Sequence, residues 1–341
     1  MSRELQLPAT VPGASIAVIS HNEIEWSQGF GVLEAGGLAP VTPDTLFQAC
    51  SISKAVTAVA ALRLVQEGVL DLDRDVNGYL ASWQVPPRGS RQHVVILRQL
   101  LSHTSGLNFP WSAGYHPEQE VPTLLEVLNG DKPSLYPAVE LTSTPGRQFA
   151  YSAGGYCVVQ QVLVDVLGKP FAELMRDLVL QPLQMQQSIY EQPLPHHLWD
   201  YAATGHRANG KPVAGKWRVY PEMAAAGLWT TPSDLARLAI DLQRALSGEP
   251  GTLLEEHTVR QMLTPIANAG DRGRVGLGLF IERTRSGLKF GHPGDNEGYN
   301  ARWFSLAGGK QHGRGVVIMT NSDAGWDYQE EVLEAVASEW S

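Results

Sequence analysis

The order of strand-like and helix-like segments constrains the fold of this chain most strongly. Near the start, "ASIAVIS" and "IEWSQGFGVL" are typical of two strands joined by the polar turn "HNE". After Pro265, the short stretches "VGLGLFIER", "GLKFGH", "YNARWFSL" and "GVVIMTN" predict further strands separated by glycine-rich turns, and "WDYQEEVLEAVASEW" predicts a closing helix. The segments between these two groups are mainly helical. We therefore expect both ends of the chain to build one antiparallel sheet.

This order predicts an α/β (α+β) fold in which a helical subdomain is inserted into a sheet. We expect a single catalytic unit over 1–341, with a discontinuous sheet-containing subdomain at 1–45 and 265–341. The mainly helical subdomain is expected at 46–264. Clefts between such lobes are where ligands usually bind, so the active site is expected there.

Charge and hydropathy exclude several classes of partner. Lysine and arginine total 26 against 35 acidic residues, a net charge of -9, so no nucleic acid partner is expected. No apolar run approaches the roughly 20 residues that span a bilayer, so no membrane partner is expected either. The first thirty residues lack the pattern of a secretory signal, which predicts a cytoplasmic protein. A periplasmic or secreted location stays open if a signal was removed, and the oligomeric state is not predicted.

A serine and a lysine lie three residues apart in "FQACSISKAVTAVAALRLVQEG", residues 47–68. The rest of the stretch is rich in alanine, valine and leucine and predicts a buried helix over 51–67 that ends at Gly68. At this spacing Ser51 and Lys54 lie on one face, close enough for a hydrogen bond. Serine needs a base to act as a nucleophile, and a buried lysine loses its proton more easily. The pair also occurs by chance in helices.

Other chemistries find little support in the sequence. The two cysteines, Cys50 and Cys157, are not in a metal-ligand spacing, and no HExxH motif occurs, so we expect neither a metal nor a cofactor. Cys50 is interpreted as a packing residue rather than a nucleophile. No G-x-S-x-G elbow occurs, which argues against an α/β-hydrolase fold.

Two further motifs accompany the serine and lysine pair. "TPGRQFAYSAGGY" places Tyr151-Ser152-Ala153 in a glycine-rich loop before a helix, and "FGHPGDNEGYN" places His292-Pro293-Gly294 at the end of a strand. With these motifs in this order, the chain resembles the serine β-lactamase and penicillin-binding protein superfamily. The class C β-lactamase branch and the related family VIII carboxylesterases are the most similar groups. Supporting stretches run almost from end to end, including "VPGASIAVI", "LLSHTSGL", "DLVLQPLQM", "AAAGLWTTPSDLARL" and "GVVIMTNSD".

The resemblance implies a β-lactamase/transpeptidase-like fold and a role for each motif. Ser51 would be the acylated nucleophile, and Lys54 with Tyr151 would be the general base and acid. Coupled groups share a proton, so neither of the two is assigned as the sole base. The backbone NH groups of Ser51 and Asp295 would form the oxyanion hole, and the substrate would contact His292, Gly294 and Ala153.

Three departures from the family pattern shift the expected substrate. His292 stands where β-lactamases carry a lysine that holds the substrate carboxylate, Pro293 replaces a hydroxyl residue, and Ala153 replaces an asparagine. An ordinary histidine is mostly neutral at pH 7, and the sequence leaves the charge of His292 open. Each departure weakens recognition of β-lactams or an anionic peptide end.

The leading hypothesis is a serine hydrolase that cleaves a small-molecule carboxylic ester. A β-lactamase, a D-amino-acid amidase or peptidase, and an acyltransferase stay open as alternatives. A non-catalytic sensor or scaffold that only binds ligands is the alternative from another class. The sequence does not give the natural ester, its acyl length or the stereochemical preference.

Some loop residues near the motifs have two interpretations. Trp111, Tyr115 and Trp229 either line an acyl pocket or pack as ordinary aromatic residues. His103, in "LSHTSGL", is expected to brace the cleft rather than to act as a triad histidine, because a lysine already supplies the base.

Overall fold

The structure is a computed structural model that describes residues 6–90, 93–109, 111–285 and 287–340. The strands of this part of the chain are β1 (Gly13–Ser20), β2 (Glu23–Gly31), β3 (Phe47–Gln48), β4 (Trp229–Thr230), β5 (Ala267–Asn268), β6 (Arg274–Val275), β7 (Phe280–Thr284), β8 (Gly287–Asn296), β9 (Tyr299–Ala307) and β10 (Arg314–Thr320). Within the described ranges, eight of them form one antiparallel sheet in the order β2-β1-β10-β9-β8-β7-β6-β5, while β3 and β4 form a separate pair.

The sheet joins the two ends of the chain. β1 and β2 form the predicted hairpin, and the turn between them places His21 and Asn22 at positive φ, as tight hairpin turns require. β1 then pairs with β10, so that Ala14 lies opposite Thr320. The prediction of one antiparallel sheet built from both termini is confirmed.

The helices of the described ranges are α1 (Ile52–Gln66), α2 (Leu97–Leu101), α3 (Leu124–Asn129), α4 (Ala153–Leu167), α5 (Phe171–Met175), α6 (Met223–Ala226), α7 (Pro232–Leu246), α8 (Glu256–Met262) and α9 (Gly325–Glu339). α1 is the helix predicted after Ser51. Its side chains are buried on almost every face, including Ser53 and Thr57, because other helices and the sheet surround it. α1 is therefore a central element of the core.

One predicted strand is wrong in its extent. The stretch "VGLGLFIER" is divided into β6 and β7 by a turn in which the NH of Gly276 donates to the carbonyl of Leu279. Gly278 has a φ of 81°, and a Cβ added there would lie 2.4 Å from the Cβ of Ala58. The turn packs directly onto α1, and a continuous strand would not allow this contact.

Helices cover both faces of the sheet. α7 packs against β1, β2, β9 and β10, and α9 covers the opposite face with Tyr328 and Val332 in a second, smaller core. This layered arrangement confirms the predicted α/β fold class. Along the described ranges, no helix is both long enough and apolar enough to cross a lipid bilayer.

The exact division into subdomains at 1–45 with 265–341 and at 46–264 stays a prediction. Residues 1–5, 286 and 341 of the first subdomain, and 91–92 and 110 of the second, lie outside the described residues. The large sheet takes its strands from both ends of the chain, whereas β3 and β4 come from within 46–264.

Candidate active site

Ser51 and Lys54 meet at the start of α1. Ser51 is the residue before the first helical turn, and its side chain makes no cap to that turn. The Nζ of Lys54 lies 3.1 Å from the Oγ of Ser51 and donates a second hydrogen bond of 2.7 Å to the carbonyl of Ala225 in α6. Lys54 is only 2% exposed. The fold therefore fixes the amine beside the hydroxyl rather than leaving it on a mobile side chain.

A strained turn and a glycine bring this serine to the edge of β8. Cys50 has a φ of 53°, a conformation that non-glycine residues rarely adopt and that is found at functional sites. Gly294 of β8 lies against the turn, where an added Cβ would be 2.6 Å from the carbonyl oxygen of Ala49. Burial raises the pKa of the Cys50 thiol well above its ordinary value, which agrees with a packing role.

Tyr151 approaches from the loop before α4. Its ring centroid is 5.0 Å from the Nζ of Lys54 and 4.2 Å from the ring of His103. The carbonyl of His103 accepts from the NH of Ala150 at 2.8 Å, and its Nδ1 accepts from the NH of Ser152 at 3.1 Å. His103 thus holds the backbone on both sides of Tyr151, in agreement with the bracing role expected for it.

His292 is neutral and buried in β8. Burial, reinforced by the charge of Lys54, lowers the pKa of His292 to about 3. The Nδ1 of the neutral ring donates to the carbonyl of Pro293 at 2.5 Å, so Nε2 carries the lone pair. This Nε2 is buried and has no hydrogen-bond partner within the described part of the chain. The third motif therefore supplies no cation.

A cavity of about 880 Å³ opens beside these groups. It is lined by Ser51, Tyr151, Gly294 and Asp295 among the predicted site residues. His292 and Ala153 do not line it, and each is 2% exposed. Ala153 lies in the first turn of α4, where its NH donates to the carbonyl of Phe109. Both side chains are thus packed away from this cavity, and the substrate contacts expected for His292 and Ala153 stay predictions.

Of the three aromatic residues near the motifs, one lines the cavity and two are buried in the core. Trp111 is 66% exposed and lines the cavity, as the acyl-pocket interpretation requires. Tyr115 and Trp229 are buried, and the ring of Trp229 contacts those of Trp217 and Tyr299. These two are core residues.

One wall of the cavity is acidic. Burial raises the pKa of Asp295, and the neighbouring charge of Asp323 raises it further. Burial also raises the pKa of Asp323, whose carboxylate accepts from the NH of Gly298. Within the described residues neither carboxylate has an ion-pair partner, whereas Glu297 binds Arg207 and Arg218 at 2.6 and 2.8 Å. Two carboxyl groups without an ion-pair partner among the described residues therefore lie on this wall, beside the guanidinium of Arg207.

The sequence did not single out three charged residues of this region. Asp323 is the last residue of the quoted stretch "GVVIMTNSD", and Arg272 lines the cavity from a turn between β5 and β6. Glu222 lies before α6, fully buried, and accepts a hydrogen bond of 3.3 Å from Ser112. Burial raises the pKa of Glu222 to about 7. None belongs to a motif, so only the fold reveals their proximity to the site.

The sequence matches one family model and several known proteins. The chain matches the family model described as Beta-lactamase over residues 3–338. It is 29% identical over 224 residues to Protein flp of Staphylococcus aureus strain MW2, covering 65% of this chain and 42% of that protein. It is 28% identical over 194 residues to a D-aminopeptidase of Gluconobacter oxydans, covering 54% and 34% of the two chains. The chain spans less than half the length of these relatives.

A solved structure shares the whole architecture. The D-amino acid amidase from Ochrobactrum anthropi SV3, complexed with L-phenylalanine amide, superposes with a TM-score of 0.75 at 22% identity. The superposition covers 97% of this chain and 95% of the amidase. The two proteins have the same fold. With a family model that spans nearly its full length, this chain belongs to the Beta-lactamase family.

Proposed function

We propose that this protein is a serine hydrolase that cleaves carboxylic esters through an acyl-enzyme on Ser51. The observation that carries the proposal is the 3.1 Å contact between Ser51 Oγ and the buried Nζ of Lys54, at the wall of the 880 Å³ cavity. A nucleophile beside a base that is itself held in place is the arrangement that covalent catalysis requires. Tyr151 lines the same cavity and completes the proton-transfer set.

In the proposed reaction, the Oγ of Ser51 attacks the ester carbonyl and its proton passes to the Lys54 and Tyr151 set. The backbone NH groups of Ser51 and Asp295 are assigned to the oxyanion that forms. The bond from the carbonyl carbon to the alkoxide then breaks, and the leaving alcohol receives the proton. Water attacks the acyl-enzyme, gives a proton to the same set, and releases the carboxylic acid as Ser51 regains its hydrogen.

The choice of an ester over a β-lactam rests on the third motif. A β-lactam or a peptide end presents a carboxylate, and His292 is buried and neutral with a pKa of about 3. Pro293 offers no hydroxyl hydrogen bond. A neutral ester does not need these contacts and has a better leaving group than an amide. We assign Gly294 to the wall against which the bound ester lies.

The acidic wall favours a second candidate, a D-amino-acid amide or a peptide with a free amino group. A substrate ammonium would be drawn to Asp295 and Asp323, which lack ion-pair partners within the described residues. A D-aminopeptidase and a D-amino acid amidase are among the similar proteins, which agrees with such a substrate. Both candidates use Ser51, Lys54 and Tyr151 in the same roles.

The experiment that tests the proposal compares kcat/KM for p-nitrophenyl butyrate, nitrocefin and D-alanine p-nitroanilide, with Ser51→Ala as the blank. We expect the butyrate ester to be cleaved fastest, with no Ser51-dependent turnover of nitrocefin. Faster cleavage of the anilide would show that the preferred substrate is an amide with a free amino group rather than an ester. Preference for nitrocefin would overturn the interpretation of the third motif, and no reaction with any substrate would favour a ligand-binding protein.

A further inference from the structure

One arginine, Arg272, lines the cavity and packs on the ring of Tyr151. Arg272 ends the 3-10 turn Gly270–Arg272, between β5 and β6, and its guanidinium carbon lies 5.1 Å from the ring centroid of Tyr151. The same carbon lies 5.4 Å from the ring of Phe280. An arginine commonly stacks on aromatic faces in this way.

The turn holds Arg272 in a defined position. The NH of Ala269 donates to the carbonyl of Gly273 at 2.8 Å, and the NH of Gly270 donates to the side chain of Asn268 at 2.9 Å. Gly270 and Gly273 have φ values of 67° and 80°, which glycine adopts without strain. The loop is therefore closed by its own hydrogen bonds, and its last side chain projects over Tyr151.

This guanidinium is not neutralised by any carboxylate of the described residues. Within the described residues Arg272 forms no ion pair, although Arg207, on the same cavity, is paired with Glu297. An unpaired arginine that stays charged at every accessible pH produces a constant positive field at the ring beside it. That field favours any negative charge that develops on the Tyr151 oxygen.

The other titratable groups around Tyr151 do not supply a constant charge. They are Lys54 from α1, His103 after α2, Tyr156 from α4 and His292 from β8. Burial lowers the pKa of both histidines and raises that of Tyr156, so all three are neutral near pH 7. Lys54 belongs to the proton-transfer set itself, and its charge changes when it takes or gives the proton. Arg272 is the one fixed cation among these described neighbours.

We propose that Arg272 is a positioning residue that stabilises the phenolate form of Tyr151. The inference rests on the proposed function, because it assigns Arg272 to the proton-transfer step of the Ser51 reaction. Arg272 itself exchanges no proton and forms no bond to the substrate. Its positive charge lowers the electrostatic energy of the Tyr151 phenolate.

The test uses the variants Arg272→Gln and Arg272→Lys, with Arg274→Gln as the matched control. Arg274 is exposed on β6, two residues away, and does not line the cavity. Each is prepared with and without Tyr151→Phe. The first readout is the pH titration of tyrosinate ultraviolet absorbance, taken as the difference between proteins with Tyr151 and with Phe at that position. The second is the acidic limb of kcat/KM against p-nitrophenyl butyrate, whose acyl group carries no charge for Arg272 to bind.

We expect Arg272→Gln to move both midpoints upward by about half a pH unit, the effect of one charge near 5 Å in a water-like dielectric. Arg272→Lys should move them less, and Arg274→Gln should leave them unchanged. High salt should shrink the shift, because the guanidinium is exposed. With Phe at position 151, Arg272→Gln should no longer change the residual rate, as expected of two coupled residues.

Unchanged midpoints in Arg272→Gln would overturn the proposal, even if kcat/KM fell, because that loss would indicate a structural or substrate-binding role. The spectroscopic titration needs no turnover, so it separates the two hypotheses. A shifted titration in a protein without Ser51-dependent hydrolysis would support the electrostatic role and reject the proposed function. Ser51-dependent hydrolysis together with an unshifted titration would support the proposed function and reject the electrostatic role of Arg272.

Discussion

Lys54 is buried beside Ser51, where α6 holds its amine in place. Removal of this amine should lower the rate of ester hydrolysis. Lys54→Met keeps the length of the side chain but removes the amine that contacts Ser51 Oγ and the carbonyl of Ala225. We expect kcat/KM to fall by roughly 10²- to 10⁴-fold, the usual contribution of a positioned proton-transfer group. The measurement is ester hydrolysis by a variant whose folding has been checked by denaturation.

The exposed lysine Lys211 gives the control for this change. Lys211→Met should retain the full rate. A Lys54→Met protein that is folded and as active as the control would contradict the assigned role.

The backbone of Gly294 packs so closely against the turn before Ser51 that there is no space for a side chain. An alanine Cβ would lie 2.6 Å from the carbonyl oxygen of Ala49 and would push β8 away from the turn that carries Ser51. We expect Gly294→Ala to destabilise the protein by about 1 to 3 kcal/mol and to lower kcat. Gly155→Ala is the matched control, because its Cβ would meet ordinary contacts of 3.6 to 3.8 Å. Equal behaviour of the two variants, in urea denaturation and in turnover, would contradict this explanation.

At the scale of the element, α4 and α7 begin with the same kind of cap but differ in what the cap supports. The Oγ of Ser152 accepts from the NH of Gly155 at 2.9 Å, and the Oγ1 of Thr231 accepts from the NH of Asp234 at 3.3 Å. Ser152 follows Tyr151 directly, whereas Thr231 is not part of the candidate site. The cap of α4 therefore fixes both a helix and the loop that carries Tyr151.

Ser152→Ala and Thr231→Ala should each lower the free energy of unfolding by about 1 kcal/mol, since each removes a side-chain cap. Only Ser152→Ala should also lower kcat, because Tyr151 loses its anchored neighbour. Urea denaturation and ester hydrolysis measure the two effects. If Thr231→Ala lowered kcat as much as Ser152→Ala, the link between the α4 cap and Tyr151 would be rejected.

The elements that the sequence predicted well are those defined by local patterns. The Ser51 and Lys54 pair follows from a spacing of three within one helix, and the hairpin of β1 and β2 follows from alternating residues around a short turn. The cap at Thr231, directly before a proline at the first helical position, is a local feature as well. Such features need no knowledge of the rest of the chain.

The features that the sequence missed depend on contacts between distant segments. The charge of His292, which the sequence left open, is decided by burial, and the ring of Phe280 packs 5.0 Å away. Arg272 reaches Tyr151 from a turn 121 positions later in the chain, and nothing in "AGDRGR" marks it as a site residue. The inward packing of Ala153 is fixed by the bond of its NH to Phe109, in a loop more than forty residues earlier.

For the whole molecule, the buried carboxyl of Glu222 couples folding to pH. Its pKa is raised to about 7 in the folded protein, whereas an unfolded glutamate ionises near 4.5. Between these values the folded state holds a proton that the unfolded state has lost, so the contribution of Glu222 to stability decreases as the pH rises. It is greatest below pH 4.5 and is lost as the pH passes about 7.

Glu222→Gln removes this dependence. Between pH 4.5 and 8, the free energy of unfolding of the wild-type protein should fall by about 3 kcal/mol relative to that of the variant. Chemical denaturation at a series of pH values measures the difference. Glu140→Gln, at an exposed glutamate, is the control and should track the wild type. Parallel pH curves for the wild type and Glu222→Gln would contradict the proton assigned to the buried carboxyl.

We propose that the fold activates one hydroxyl, that of Ser51, through its contact with the buried Nζ of Lys54. The most direct measurement is covalent labelling by a fluorophosphonate probe, followed by mass spectrometry of the peptides. We predict a single modified serine, Ser51, with labelling abolished in Ser51→Ala and strongly slowed in Lys54→Met. A folded protein that stays unlabelled, or that is labelled equally in Ser51→Ala, would contradict the claim.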